Sequence, residues 1–188
     1  MGIQSKEERV LELFLNEPAK QWHFSRIAKT AKVSEPSANK WLRKLLEEKI
    51  IQRVKPKGKM PYFIGNFRHD NYRSKKKIYA LQKLYESGLL AKLQALKNAK
   101  TIVIFGSFSR SDWNGQSDID IFVLGDSEDL KFGMIWSGLG YQGKGRELQV
   151  HSYNAVKDVR SIHSGLMKNV IKGYFVKGSI YDLATVQT

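Results

Sequence analysis

The chain has 188 residues, 41% of them hydrophobic and 27% charged, with a net charge of +14 and no cysteine. These values are typical of a globular protein with one ordinary domain or two small ones, and they exclude disulfides and thiolate metal sites. No apolar run is long enough for a transmembrane helix, and the first ten residues lack the apolar stretch of a signal peptide, so we expect a cytoplasmic protein without a membrane partner.

The positive charge lies almost wholly in the first half of the chain. Residues 1–98 hold 22 lysines and arginines against nine acidic residues, whereas residues 99–188 hold ten against nine. Lysines and arginines that contact phosphates release counterions, so this asymmetry favours nucleic acid as the partner of the first half. A basic surface that is merely solvated is the alternative interpretation.

Three short helices are predicted at the N-terminus. Apolar spacing predicts the first over 5–15 and the second over 24–31. Ser34 is a suitable N-cap, and Pro36 lies in the first turn of a third helix that runs to about residue 49. Two short strands, 51–54 and 62–64, follow with a basic, turn-rich tip between them.

Three helices followed by a basic hairpin resemble a winged helix-turn-helix. The resemblance covers residues 5–66 and implies that the third helix enters the major groove of DNA while the hairpin, or wing, contacts phosphates. A winged helix used only for protein interaction is the alternative. The residues that would contact DNA are Ser37, Asn39, Lys40, Arg43 and Lys44 on the third helix, and Arg53, Lys55, Lys57 and Lys59 in the wing.

Residues 70–98 are predicted to be helical and to link the two parts of the chain. Ile78, Leu81, Leu84, Tyr85 and Leu89 are expected to form an apolar stripe. A glycine at position 88 is expected to divide the region into two helices.

From residue 101 the pattern changes to buried strands. A continuous apolar run ends in Gly106 and Ser107, which predicts a strand followed by a tight turn. After a short polar connection, a second strand starts near residue 117. Asp118 and Asp120 lie two residues apart, so both carboxylates project from the same face of this strand.

Two aspartates on one face of an apolar strand repel each other, and burial is costly for both. A divalent cation removes that conflict, and oxygen ligands favour Mg²⁺ or Mn²⁺. Gly106 permits close approach of the backbone to a phosphate, and Ser107 offers a hydroxyl and an amide at the expected start of a helix. The residues thus predict a triphosphate bridged by metal to two carboxylates.

The segment GSFSRSDWNGQSDIDI resembles the signature of the DNA polymerase beta nucleotidyltransferase superfamily, and in particular its minimal archaeal and bacterial members. The resemblance covers residues 70 to about 178. It implies that Asp118 and Asp120 ligate the metals and that Gly106 and Ser107 bind the β- and γ-phosphates of a nucleoside triphosphate. Arg110 would steady the triphosphate, or is only an exposed loop arginine.

The same resemblance implies a third carboxylate on a later strand, which activates the attacking hydroxyl. The expected strand is 146–153, where alternation places Glu147, Gln149 and His151 on one face. Glu147 is the only carboxylate there and is the candidate base and third ligand. If Gln149 occupies the third position, the domain binds nucleotide with little or no catalysis.

The remaining motifs carry less. The Gly-x-Gly-x-x-Gly match at 138–143 is expected to be a glycine-rich loop between a short helix near 127–137 and a strand, and not a dinucleotide site. The four histidines lack metal-ligand spacing. The tail is expected to form one or two helices and a short strand at 174–176.

Together these patterns predict an α+β protein: a winged helix-turn-helix at 1–68, a helical linker at 69–98, and a small mixed-sheet nucleotidyltransferase domain at 99–188. The first functional hypothesis is an Mg-dependent enzyme that moves a nucleoside monophosphate to an acceptor hydroxyl, and related minimal enzymes suggest a partner protein as acceptor. The second is a DNA-binding regulator whose second domain senses nucleotide or a partner. A homodimer that reads two half-sites fits either.

Overall fold

The computed structural model of the protein describes residues 4–155 and 164–184. In these residues the chain divides into two compact units, 4–78 and 79–184, and the boundary falls inside one helix. His163 and the tail segment 156–163 lie outside the described residues. Within the described part of the chain, no helix combines the length and the apolar character needed to cross a membrane.

The first unit contains the predicted helices and hairpin. Helix α1 spans Lys6–Asn16, α2 spans Phe24–Ala31 and α3 spans Glu35–Glu47, and strands β1 (Ile51–Val54) and β2 (Tyr62–Gly65) pair antiparallel. Helix α4 (Asp70–Glu86) begins in this unit. Ser5 starts α1 with a reciprocal capping box to Glu8, which satisfies two amides at the helix end.

The connection between α2 and α3 is a tight turn. Lys32 adopts a left-handed conformation at φ 51°, and the Val33 amide donates to the Ala28 carbonyl. Ser34 has N-cap geometry, as predicted, but its hydroxyl donates to Ser37 Oγ at 2.9 Å and does not cap the backbone. The core between these helices includes Phe14, Trp22, Ile27, Leu42 and Leu45.

The second unit contains a five-stranded mixed sheet. After α5 (Leu89–Gln94) come β3 (Ala99–Phe105), α6 (Gly106–Arg110), β4 (Ile119–Gly125), β5 (Met134–Tyr141) and β6 (Lys144–Tyr153). Helix α7 (Ser164–Val170), strand β7 (Tyr174–Lys177) and helix α8 (Tyr181–Ala184) complete it. The strand order is β5-β6-β4-β3-β7, with β4 and β6 parallel and the other neighbours antiparallel.

Both faces of the central strand β4 are used. Ile119, Ile121 and Val123 are completely buried on one face. On the other face, Phe122 and Leu124 pack in a cluster with residues of β3, α7 and α8, while Asp120 lies at the start of the strand, before that cluster. The sheet therefore carries a polar end on a face that is otherwise core.

Two predictions about local structure are wrong. The segment predicted as a helix near 127–137 and a glycine-rich loop forms turns followed by β5, and the tip of the hairpin is at Gln142 and Gly143, both at positive φ. The segment is a strand because it pairs with β6. A Cβ on Gly140 would lie 2.3 Å from the Lys144 carbonyl oxygen, so the glycine permits the two strands to approach closely.

The apolar stripe predicted along residues 78–89 is also wrong in part. Ile78 and Tyr85 are 63% and 75% exposed, whereas Tyr79, Ala80 and Leu84 are buried. Tyr79 stacks on Trp113 with ring centroids 6.1 Å apart. Because of this contact, the buried face of the helix contains Tyr79 and not Ile78. The break at Gly88, in a left-handed conformation, is confirmed.

Candidate active site

The Gly-Ser turn and the second aspartate of the Asp-x-Asp motif are in direct contact. Phe105, the last residue of β3, pairs with Asp120 of β4, and Gly106 follows at φ +69°. A Cβ built on Gly106 would lie 1.9 Å from Asp120 Oδ2. Because no side chain fits in that space, the carboxylate lies directly against the backbone of the turn.

The two aspartates differ in environment. Asp120 is half-buried and Asp118 is exposed. Burial raises the pKa of the Asp120 carboxyl above its ordinary value, and the negative charge of Asp118 raises it further, while His151 and Arg110 oppose the shift. The ionised form of the Asp120 carboxyl is therefore disfavoured, and a bound cation would stabilise it.

Strand pairing decides which residue lies beside Asp120 on the third strand. In the parallel register of β4 and β6, Asp120 pairs with Gln149, and Phe122 pairs with His151. Gln149 Nε2 donates a hydrogen bond of 2.6 Å to Glu147 Oε1. An amide therefore occupies the position next to Asp120, and it orients the predicted base, Glu147, two residues earlier on the same strand.

His151 lies on the face of the aspartates and close enough to lower the pKa of Asp120. Its ring is tilted against Phe105 at 5.9 Å and meets Phe132 edge-on at 5.8 Å. Phe132 is 61% exposed. The alternation of β6 predicted the facing of the histidine, but Phe132 lies in a turn that carried no sequence signal.

The predicted phosphate-binding residues lie along α6, with Gly106 and Ser107 at its start and Arg110 at its end. Ser107 is half-buried in the first turn of this helix. Arg110 is exposed and its Nε is paired with Asp112 at 3.0 Å. An exposed pair of this kind is weak, so Arg110 is free to exchange this carboxylate for a phosphate.

A divalent metal fits the residues present if the substrate completes its coordination. In residues 4–155 and 164–184, no group of three or more histidine, aspartate or glutamate side chains is arranged to hold a metal ion. Mg²⁺ is commonly held by one or two carboxylates together with substrate phosphates and water. The pair Asp118 and Asp120, at the start of β4 and with Asp120 against the Gly106 backbone, meets that requirement.

Arg146 is a residue that sequence reasoning missed. Its side chain is only 6% exposed, because it lies on the buried face of β6 together with Leu148 and Val150. A charged residue in an apolar alternation was the available signal, because an arginine at such a position must find buried hydrogen-bond acceptors.

In the first unit, three of the residues predicted to contact DNA line one hollow. Asn39, Arg43 and Arg53 border a cavity of about 360 Å³. Its apolar lining comes from α2, α3 and the hairpin: Phe24, Leu42, Leu46, Pro61 and Phe63. Among the described residues, the side chains of Arg43 and Arg53 have no hydrogen bond or ion pair, so both guanidinium groups are available to an anion.

The other predicted contacts are distributed around this hollow. Lys55, Lys57 and Lys59 are exposed between β1 and β2 of the hairpin, and Lys40 lies over the Trp41 ring at 4.8 Å. Lys44 instead pairs with Glu7 at 2.8 Å, a contact that raises the pKa of its ammonium group. A phosphate at Lys44 would have to compete with that carboxylate.

Comparison with known families adds one finding. Residues 87–177 match the family model described as a nucleotidyltransferase domain. The matched span includes Gly106, both aspartates and Glu147. No match was found to a curated protein or to a solved structure. The match supports nucleotidyl transfer in general by the second unit.

Proposed function

We propose that the second unit is an Mg-dependent enzyme that transfers a nucleoside monophosphate from a nucleoside triphosphate to an acceptor hydroxyl. The observation that carries the proposal is the contact between the Gly106 backbone and the Asp120 carboxylate. A triphosphate bound at the turn would lie next to the Asp120 carboxyl, whose pKa is raised by burial. A cation bound there would stabilise the ionised carboxylate.

The residues take distinct roles in this reaction. Ser107 and the amides at the start of α6 bind the β- and γ-phosphates, and Asp118 and Asp120 would hold the ion. Bound Mg²⁺ would neutralise the charge that develops on the phosphate oxygens. Arg110 leaves Asp112 and pairs with the triphosphate.

The bond changes are those of an in-line displacement. The acceptor oxygen bonds to the α-phosphorus, the bond from that phosphorus to the α–β bridging oxygen breaks, and pyrophosphate leaves. The acceptor proton passes to Glu147, whose carboxylate is held by the Gln149 amide.

We propose that the first unit binds DNA through α3 and the wing, as a monomer or as a homodimer on two half-sites. The guanidinium groups of Arg43 and Arg53, which have no partner among the described residues, support this together with the basic wing. The acceptor that we propose is a hydroxyl on a partner protein.

A second function is favoured by one observation. The residue paired with Asp120 is Gln149 and not an acid, so the domain lacks a carboxylate at the position best placed to activate a hydroxyl. In that case the protein is a DNA-binding regulator, and its second unit senses nucleotide or a partner without catalysis.

Transfer of label separates the two functions. The protein is incubated with each α-labelled nucleoside triphosphate and Mg²⁺, with and without cell extract, beside an Asp118→Ala, Asp120→Ala double variant. An Asp126→Ala, Asp129→Ala variant removes the same charge from exposed positions outside the site and serves as control. If the protein is the enzyme, wild type and control transfer label and the Asp118→Ala, Asp120→Ala variant does not. If the proteins bind nucleotide and none of them transfers label, the result supports the regulator.

A further inference from the structure

The turn that precedes the first aspartate of the motif is closed by its own hydrogen bonds. The backbone N–H of Ser117 donates to the Asn114 carbonyl at 3.2 Å, and the backbone N–H of Asn114 donates to Ser117 Oγ. The backbone N–H of Gln116 donates to Asn114 Oδ1. These bonds shape the turn but do not attach it to the sheet. Asp118, the next residue, is exposed and precedes the first residue of β4.

Arg146 makes that attachment. Its Nη1 donates to the Asn114 carbonyl at 2.8 Å and to the Ser117 carbonyl at 2.6 Å, and its Nε donates to the Leu139 carbonyl at 3.0 Å. One guanidinium group therefore joins both ends of the turn to the β5–β6 hairpin. The Ser117 carbonyl belongs to the peptide bond that leads into Asp118.

The position of Arg146 is fixed by aromatic rings as well. Its Cζ lies 5.1 Å from the centre of the Phe108 ring and 5.4 Å from that of Trp113, and these two rings are stacked on each other at 5.2 Å. Phe108 belongs to α6, directly after Ser107. The guanidinium group thus connects the phosphate-binding helix, the turn and the sheet in a desolvated environment.

We propose that Arg146 is a positioning residue that holds Asp118 in the geometry required for the divalent ion. The inference rests on the proposed function, because that function assigns Asp118 to the metal. A fixed planar fork can donate to three carbonyls in different directions while its face lies against aromatic rings, whereas the ammonium group of lysine cannot reproduce this arrangement. Residues that orient metal ligands from behind typically alter metal affinity by about 10–100-fold when they are replaced.

The test compares Arg146→Lys with Leu93→Ala, Asp118→Asn and wild type in the full chain. Leu93 is completely buried on α5, so its truncation destabilises the same unit through the core and leaves the hydrogen bonds of the turn in place. Mn²⁺ binding is measured by the loss of the free-ion paramagnetic resonance signal, with a nonhydrolysable nucleoside triphosphate present. Amide hydrogen exchange is followed over residues 114–120, and both measurements are made well below the unfolding midpoints.

We expect Arg146→Lys to weaken Mn²⁺ binding about tenfold and to accelerate exchange over 114–120 while the rest of the sheet stays protected. Leu93→Ala should bind Mn²⁺ like wild type. Unchanged Mn²⁺ affinity in Arg146→Lys, beside a loss in Asp118→Asn, would overturn the proposal, as would equal weakening by Leu93→Ala. If wild type binds Mn²⁺ through Asp118 but transfers no nucleotide, the catalytic function fails and the role of Arg146 stands. If wild type binds no Mn²⁺, both fail.

Discussion

Gly106→Ala should abolish the site while costing only modest stability. The substitution adds two penalties. A non-glycine residue at φ +69° costs about 1–2 kcal/mol in folding free energy. In addition, the new Cβ would meet Asp120 Oδ2 at 1.9 Å, so the carboxylate must move away from the Gly106–Ser107 turn.

Gly88→Ala is the matched control, since it separates the two penalties. Gly88 has a similar backbone conformation, at φ +75°, but apart from its own neighbours in the chain no atom of the described residues lies within 4 Å of the position that a Cβ would take. Gly88→Ala should lose about 1–2 kcal/mol of folding free energy, or roughly 4–8 °C in unfolding midpoint per kcal/mol for a domain of this size, and Gly106→Ala should lose at least as much. Displacement of a reacting group by about 1 Å can cost about 100-fold in rate, so only Gly106→Ala should lose nucleotide transfer to that extent.

The assay is label transfer at saturating nucleoside triphosphate and Mg²⁺, with Mn²⁺ affinity as a second readout and thermal unfolding for stability. If Gly106→Ala matched Gly88→Ala in transfer and in Mn²⁺ affinity, the contact between the turn and Asp120 would have no functional role. If Gly106→Ala failed to fold while Gly88→Ala folded, the role of Gly106 would be structural, and the catalytic interpretation of the contact would be rejected.

Three further predictions concern the pKa of Asp120, the third strand and the DNA interface. Because burial raises the folded-state pKa of Asp120, its contribution to stability is complete below the unfolded-state pKa and is lost as the pH rises through the folded-state pKa. Without metal, Asp120→Asn should therefore raise the unfolding midpoint at neutral pH, and the gain should disappear toward about pH 4; a gain that is independent of pH would contradict this. Glu147→Gln should lower the transfer rate by about 100-fold, whereas Gln149→Ala, which removes only the amide that donates to Glu147, should lower it much less; the reverse order would assign the role to the position beside Asp120. Arg43→Ala and Arg53→Ala should each weaken duplex DNA binding, measured by fluorescence anisotropy, and should reduce the slope of log affinity against log salt by about 0.9 for each phosphate that the variant no longer neutralises. Lys6→Ala, at an exposed position on α1, is the control and should change neither the affinity nor the slope. If the Arg43→Ala, Arg53→Ala double variant bound DNA with wild-type affinity, the hollow would not be part of the interface.

Sequence patterns were informative wherever one short segment contained the whole physical reason. The Gly106–Ser107 turn, the Asp118 and Asp120 pair and the buried strands around them follow from local alternation and from the conformational freedom of glycine. The three helices and the hairpin of the first unit were predictable for the same reason. The family match over 87–177 agrees with the motif found in that span.

Tertiary structure decided what depended on partners far apart in sequence. The parallel register of β4 and β6 places Gln149, and not Glu147, beside Asp120, and no pattern within either strand specifies that offset. Pairing with β6 made a strand of the glycine-rich segment. Arg146 found its acceptors 29 and 32 residues earlier in the chain. Sequence thus determined which groups are available for chemistry, and the long-range pairing of strands determined which of them meet, because register is set by contacts between segments and not within them.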